Sequence, residues 1–142
     1  GGGYNNRAEE RGSTVGGGAY NKTQRQYSTV GGGAYNEAQA EFSTVGGGHY
    51  NLAKGTASAI PGGRNLTVGD NSFGYNGDNA TTPTQTDISA YNRTAYFGNV
   101  DLWIGNVDSV PRELRFYVGN NGNFTYSGAT APLYVGFKAP QA

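Results

Sequence analysis

Residues 13–21 read Ser-Thr-Val-Gly-Gly-Gly-Ala-Tyr-Asn, and the same letters return unchanged at 28–36. A third copy at 43–51 differs only in placing His49 where Ala19 and Ala34 stand. Three glycines in a row suit several jobs: cradling a phosphate, freeing a linker, or turning a tightly wound chain. The interval decides between them. Gly16-Gly17-Gly18, Gly31-Gly32-Gly33 and Gly46-Gly47-Gly48 recur every 15 residues, with Gly1-Gly2-Gly3 before them and Pro61-Gly62-Gly63 after. Asn6, Asn21, Asn36 and Asn51 keep the interval. So do Val15, Val30, Val45 and Ile60, and so do Ser13, Ser28, Ser43 and Ser58. Tyr20, Tyr35 and Tyr50 form a shorter series, and Tyr27 and Phe42 another. A last, degenerate copy at 72–77 comes one residue early.

A 15-residue period is too short for the helical repeats, which need roughly 33 residues or more. It holds two short strands and two turns. In Ser-Thr-Val the alternation sends Ser13 and Val15 to one face and Thr14 to the other. The β-branched pair favours a strand, and the glycine after it a turn. The expected fold is therefore all-β: a parallel β-solenoid, or β-roll, of about five 15-residue coils over 1–77. Coils stacked at the strand spacing of about 4.8 Å would rise roughly 24 Å in all. Val15, Val30, Val45 and Ile60 would form an inner column, and the four Asn a hydrogen-bonded ladder. The glycines would mark a corner where a Cβ obstructs a sharp turn or a neighbouring chain. The variable positions predict stacked charges, Lys22 over Glu37 and Glu10 over Arg25, each exposed pair worth about 0–1 kcal/mol.

Composition agrees with a repetitive, aromatic chain. The 142 residues include 25 Gly and 11 Tyr but no Cys and no Met. The lack of Met predicts a processed product or a piece of a longer chain. Leu, Ile, Val and Phe supply only 23 residues, a level that alone hints at disorder. A formal net charge of zero argues the other way. One Val per coil is a thin core to set against the ordering of a whole coil. The sequence therefore predicts an oligomer, with Tyr20, Tyr35 and Tyr50, or Tyr27 and Phe42, at the seam. Zero net charge provides no basic footprint for nucleic acid. No apolar run is long enough for a signal peptide or a membrane span. Without Cys there are no disulfides or thiolate metal sites, and the compartment stays open.

The run Asn51-Leu52-Ala53-Lys54-Gly55-Thr56-Ala57-Ser58-Ala59-Ile60-Pro61-Gly62-Gly63 resembles the head repeats of trimeric autotransporter adhesins and related bacterial and phage surface fibres. The resemblance covers about residues 1–77. This chain departs from it in its triple glycine and in a period of 15 where many such heads keep 14. The resemblance implies three chains forming left-handed β-rolls packed side by side. The stretches at 94–106, 112–120 and 134–140 resemble a strand-rich module that follows such repeats in large bacterial surface proteins. There it often precedes a fibre stalk or a self-cleaving, trimerising chaperone domain of the endosialidase type. The expected organisation is a repeat region at 1–77, a polar connector at 78–90 and a β-rich module at 91–142. Asn121-Gly122 marks a hairpin in that module.

What the resemblance implies is a non-enzymatic, homotrimeric component of an extracellular fibre or cell-surface appendage; open coil ends with unpaired backbone add the expectation that it can join end to end into a filament. A surface glycan or host receptor is its expected target. The alternatives are a bacteriophage tail-fibre segment and a carbohydrate-binding module using stacked Tyr.

Chemistry-bearing motifs were weighed against plainer readings. Residues 16–23 fall one short of a P-loop, lacking Gly where Asn21 stands. Later coils replace Lys22-Thr23 with Glu37-Ala38 and Leu52-Ala53, so the structural reading is preferred. Asp70, Asn76, Asp78 and Asn79 offer oxygen ligands for calcium, and a polar turn is the plainer account. His49 substitutes for Ala and reads as tolerated variation. One His without Cys leaves no triad or zinc set within one chain. No two carboxylates are spaced as a glycosidase pair. No catalysis, metal or cofactor is expected. The Tyr20, Tyr35 and Tyr50 column is the best binding candidate, for sugar faces or a protein, with packing between chains preferred. Sequons occur at Asn21, Asn65, Asn79, Asn92 and Asn123. Asn21 fits least as an acceptor, because it belongs to the internal ladder.

Overall fold

A computed structural model of the chain describes residues 2–79 and 84–100. Short strands follow one another along it: β1 Arg7–Ala8, β2 Thr14–Val15, β3 Lys22–Thr23, β4 Thr29–Val30, β5 Glu37–Ala38 and β6 Thr44–Val45. Then come β7 Leu52–Ala53, β8 Ala59–Ile60, β9 Leu66–Val68, β10 Phe73–Asn76, β11 Thr86–Ile88 and β12 Ala95–Gly98. They alternate between two sheets. One sheet runs β1-β3-β5-β7-β9-β11 and the other β2-β4-β6-β8-β10-β12, six strands each. The pairings are parallel throughout. No helix occurs among the described residues. The chain is a parallel β-solenoid, as its period predicts: each coil gives a strand to both sheets and climbs to the next.

The register follows the repeat. Val15, Val30, Val45 and Ile60 stand over one another in the second sheet. Arg7, Lys22, Glu37, Leu52 and Thr67 do the same in the first. Single-residue bridges Tyr4–Ala19–Ala34–His49–Arg64 add a third ladder. One coil is a residue short, since Ala59 pairs with Phe73, which is the early copy seen in the sequence. β11 and β12, in stretches expected as connector and second module, add a further rung to both sheets through Leu66–Thr86 and Phe73–Ala95 pairing. Residues 101–142, with the hairpin expected at Asn121-Gly122, lie outside the described residues.

Strands of two residues are the consequence of how often the coil turns. Gly33, Tyr35 and Phe42 of one coil all have positive φ, at 80°, 56° and 58°. Only Thr29–Val30 and Glu37–Ala38 stay extended between such corners.

The interior is one residue wide. Val30, Val45 and Ile60 from the second sheet meet Ala38, Ala53 and Val68 from the first, all fully buried. Val15 is half-buried because its coil has no neighbour below it among the described residues. The buried serines satisfy themselves locally. Ser28, Ser43 and Ser58 donate their hydroxyls to the carbonyls of Arg25, Ala40 and Gly55, each at 2.6 Å. Thr23 is the exception, with a fully buried hydroxyl that has no hydrogen-bond partner.

Candidate functional site

The glycine corner is held by the asparagines behind it. Asn21 Nδ2 donates to the carbonyls of Gly17 and Gly33, at 2.9 and 2.8 Å. Its Oδ1 accepts the Asn36 N–H at 3.0 Å. Asn36 repeats the pattern toward Gly32, Gly48 and the Asn51 N–H. Asn51 does so toward Gly47 and Gly63. Asn6, in the exposed first coil, joins through the Asn21 N–H and the Gly18 carbonyl. A buried amide costs little when its valences are met, and here each side chain ties its own coil to the next. The ladder stops at Leu66, whose N–H donates to the Asn51 Oδ1 while its side chain enters the core.

The three glycines of a corner are not equivalent. A Cβ on Gly31 would lie 2.5 Å from the Gly46 carbonyl oxygen, and one on Gly33 would lie 2.2 Å from that of Gly48. Gly16 and Gly46, and Gly18 and Gly48, are confined in the same way by the coil above. The third glycine also needs its positive φ, 81°, 80° and 91° in successive coils. The middle glycine is different. A Cβ on Gly32 or Gly47 meets nothing within 4 Å, and Gly17 has only the Gly2 carbonyl oxygen nearby. The expected obstruction by the turn is found at the outer two glycines; at Gly32 and Gly47 the coil itself leaves a Cβ room, while Gly17 is confined by the Gly2 carbonyl oxygen at 2.9 Å.

Beyond the corner stands an aromatic edge. Tyr20 and Tyr35 stack at 4.9 Å between ring centroids and Tyr35 and Tyr50 at 4.7 Å, nearly parallel at 5° and 12°. Tyr4 meets Tyr20 edge-on at 5.3 Å. Hydrogen bonding to Tyr4 is the main cause that pushes the Tyr20 phenol above its ordinary range. Exposure is 66% for Tyr4, 40% for Tyr20 and 43% for Tyr35 and Tyr50. Stacked this way, the rings cover one another's faces and turn edges and hydroxyls to solvent. His49 packs edge-on against Tyr35 and Tyr50. Tyr27 and Phe42 stack at 5.5 Å at another corner.

Sequence reasoning missed that these aromatics sit in the left-handed region, with φ of 56°, 56° and 55° for Tyr20, Tyr35 and Tyr50. A signal was present. Asn5 and Asn65 occupy the same column at its ends, and Gly12 occupies that of Tyr27 and Phe42. Asn and Gly are the residues most at home there.

The other candidates are dispersed. Lys22 pairs with Glu37 at 3.8 Å as expected, and also with Glu9 at 3.5 Å. Glu10 and Arg25 form no such pair and line a groove of about 430 Å³ with Gln26, Gln39 and Glu41. With Lys22 on an outward ion pair and Thr23 buried, residues 16–23 form no phosphate cradle. Asp70 accepts the Thr56 N–H at 2.8 Å, whereas Asn76 donates to the Arg64 carbonyl and Asp78 takes the Asn65 amide at 3.3 Å. The oxygen groups weighed as calcium ligands are thus split between two corners. Among the described residues no three His, Cys, Asp or Glu gather as a metal site.

The sequons divide by burial. Asn21 is 1% exposed and Asn65 2%, so the folded coil offers neither as an acceptor. Asn65, expected as an acceptor, lies one position before the ladder column and is shut in by the short coil above it. Asn92 is exposed and accepts the Asp70 N–H. Asn79 is exposed at the limit of the described residues, and Asn123 lies outside them.

Comparison with family models, with curated proteins and with solved structures finds no match.

Proposed function

We propose that this chain is a structural, non-enzymatic segment of an extracellular fibre or surface appendage, self-associated as a homotrimer. The observation that carries the reading is the unbroken stacking of coils through two sheets, an Asn ladder and an aromatic ladder that all run along one axis. Such a body is a rod segment. Its strength lies in backbone pairing between coils, and lengthening it requires only more coils. The core, one residue wide, supports association as well, because the large apolar groups, Tyr20, Tyr35, Tyr50 and Phe42 among them, stand outside it. Attachment to a glycan or receptor at the fibre surface belongs to the same proposal, as does end-to-end joining of coils into a filament.

Light scattering on the purified chain should give the mass of three copies, and electron microscopy should show rods or continuous filaments. A particle with the mass of a single chain at every concentration would falsify this reading.

A further inference from the structure

The middle glycines pose the sharpest question left by the fold. Position 2 of the triplet is Gly in five successive coils, at Gly2, Gly17, Gly32, Gly47 and Gly62. None of them has positive φ. At Gly2, Gly32 and Gly47 an added Cβ meets nothing within 4 Å, and at Gly62 it meets only a Tyr75 ring carbon at 3.8 Å. Gly62 persists although the residue before it has changed to Pro61 and the one after Gly63 to Arg64. Gly17 is confined, since its added Cβ would lie 2.9 Å from the Gly2 carbonyl oxygen, but at Gly32, Gly47 and Gly62 the chain's own fold does not ask for glycine.

We propose that the bare glycine corner and the tyrosine edge are the two halves of a lateral seam between copies of this chain. Tyr20, Tyr35 and Tyr50 of one copy lie lengthwise along Gly17, Gly32 and Gly47 of the next. The inference rests on the fibre reading and names the surface through which the fibre's chains meet.

Three observations select a second copy as the occupant. The first is pitch. The rings repeat at 4.7 and 4.9 Å, the spacing of strands in a sheet, about 4.8 Å. Only a surface built of rungs at that spacing can meet every ring in the same way, and the glycine corner of a parallel copy has it. The second is shape. The rings project as a ridge, while the corner carries no side chain across its three positions and receives a ridge against backbone. The third is area. An aromatic side chain presents roughly 200 Å², so Tyr4, Tyr20, Tyr35 and Tyr50 at their exposures offer roughly 400 Å². A stable pair buries about 800 Å² on each partner. One strip falls short of that for an isolated pair, so the seam calls for a closed arrangement in which each chain is held twice, by its ridge toward one neighbour and by its corner toward another. A seam joining two different strips is heterologous, and it closes into a ring or extends into a sheet of rods. Zero net charge leaves no bulk repulsion between the copies.

The test uses the full chain. Gly32→Gln should keep the β-type circular dichroism of the coil, since its Cβ meets nothing in its own chain; melting is compared with the parent's in the dispersed state, because association itself stabilises the coil. Association should weaken at least about tenfold, read by light scattering over a dilution series. Gly31→Gln, which drives a Cβ into the Gly46 carbonyl, should instead lose the coil itself. Because the chain has no Cys, contact can also be read directly. Gly32→Cys and Tyr35→Cys chains, mixed and oxidised, should form a mixed disulfide more readily than either forms with itself. A Gly32→Gln chain that associates like the parent, or Tyr35→Cys linking chiefly to itself, overturns the seam and leaves the fibre standing. A parent chain that never associates removes both.

Discussion

Tyr35 shows what a single position in this fold must reconcile. A non-glycine residue in the left-handed region costs about 1–2 kcal/mol, and Tyr35 sits there at φ 56°. Its ring stacks on one neighbour in each direction, and aromatic pairs contribute about 0.5–1.5 kcal/mol each. The stack offsets the strain, so the column can hold Tyr inside the ladder and Asn at its ends. Thr23 is the opposite case, a side chain whose polar atom meets nothing. Its hydroxyl is fully buried without a partner, in a column where Ala38 and Ala53 stand. Replacing it with Val keeps the shape and removes the orphan. Thr23→Val should stabilise the coil by about 1 kcal/mol, seen as a rise of roughly 4–8 °C in melting temperature. A fall would mean that the hydroxyl has a partner in solution.

At the scale of the coil, most of the design was legible in the letters. The period placed Val15, Val30, Val45 and Ile60 in one column, and alternation in Ser-Thr-Val gave the direction of its side chains. Two features were hidden because they depend on what stands one coil away. The middle glycine cannot be told from its neighbours until the carbonyl above each is located. The switch from Asn51 to Leu66 hides behind Asn65, which looks like the next ladder residue but lies one position early and bonds elsewhere. Charge pairing was half legible for a related reason: position numbers tell which residues lie over one another, not which way long side chains lean. The ladder itself yields a prediction. Asn36→Ala would leave the Asn51 N–H and the half-buried Gly32 carbonyl without their side-chain partner, while the Gly48 carbonyl keeps the Ala34 N–H. At about 1 kcal/mol for each group left unmatched, the loss should be about 2 kcal/mol by chemical denaturation. Asn6→Ala, in the exposed first coil, should cost about 1 kcal/mol at most.

The whole molecule behaves as a stack of nearest neighbours, so its stability should vary along the axis. β1 is exposed and Val15 only half-buried, whereas Val30 and Val45 are sealed. In the dispersed chain the Thr29 and Thr44 amides should exchange with solvent at least about tenfold more slowly than that of Thr14, although all three are hydrogen-bonded. Equal protection of the first coil would report that its open end is covered. The extent of the stack was the least legible property. β11 and β12 lie 20 and 22 residues beyond their partners, so periodicity could not find them. They join because Leu66–Val68 and Phe73–Asn76 still present unpaired backbone.

A ladder with identical teeth also has a weakness as a joint. Tyr20, Tyr35 and Tyr50 are interchangeable to anything that slides along them, and so, in the proposed seam, are the glycines that would lie opposite. A rack of this kind meshes equally well one tooth up or down. Alignment must therefore be indexed by the teeth that differ. His49 is such a tooth, wedged against two of the rings, and Pro61 and Arg64 spoil the corner above it. The departures from the repeat, which look like decay in the sequence, are what would let two rods find one alignment and not slip.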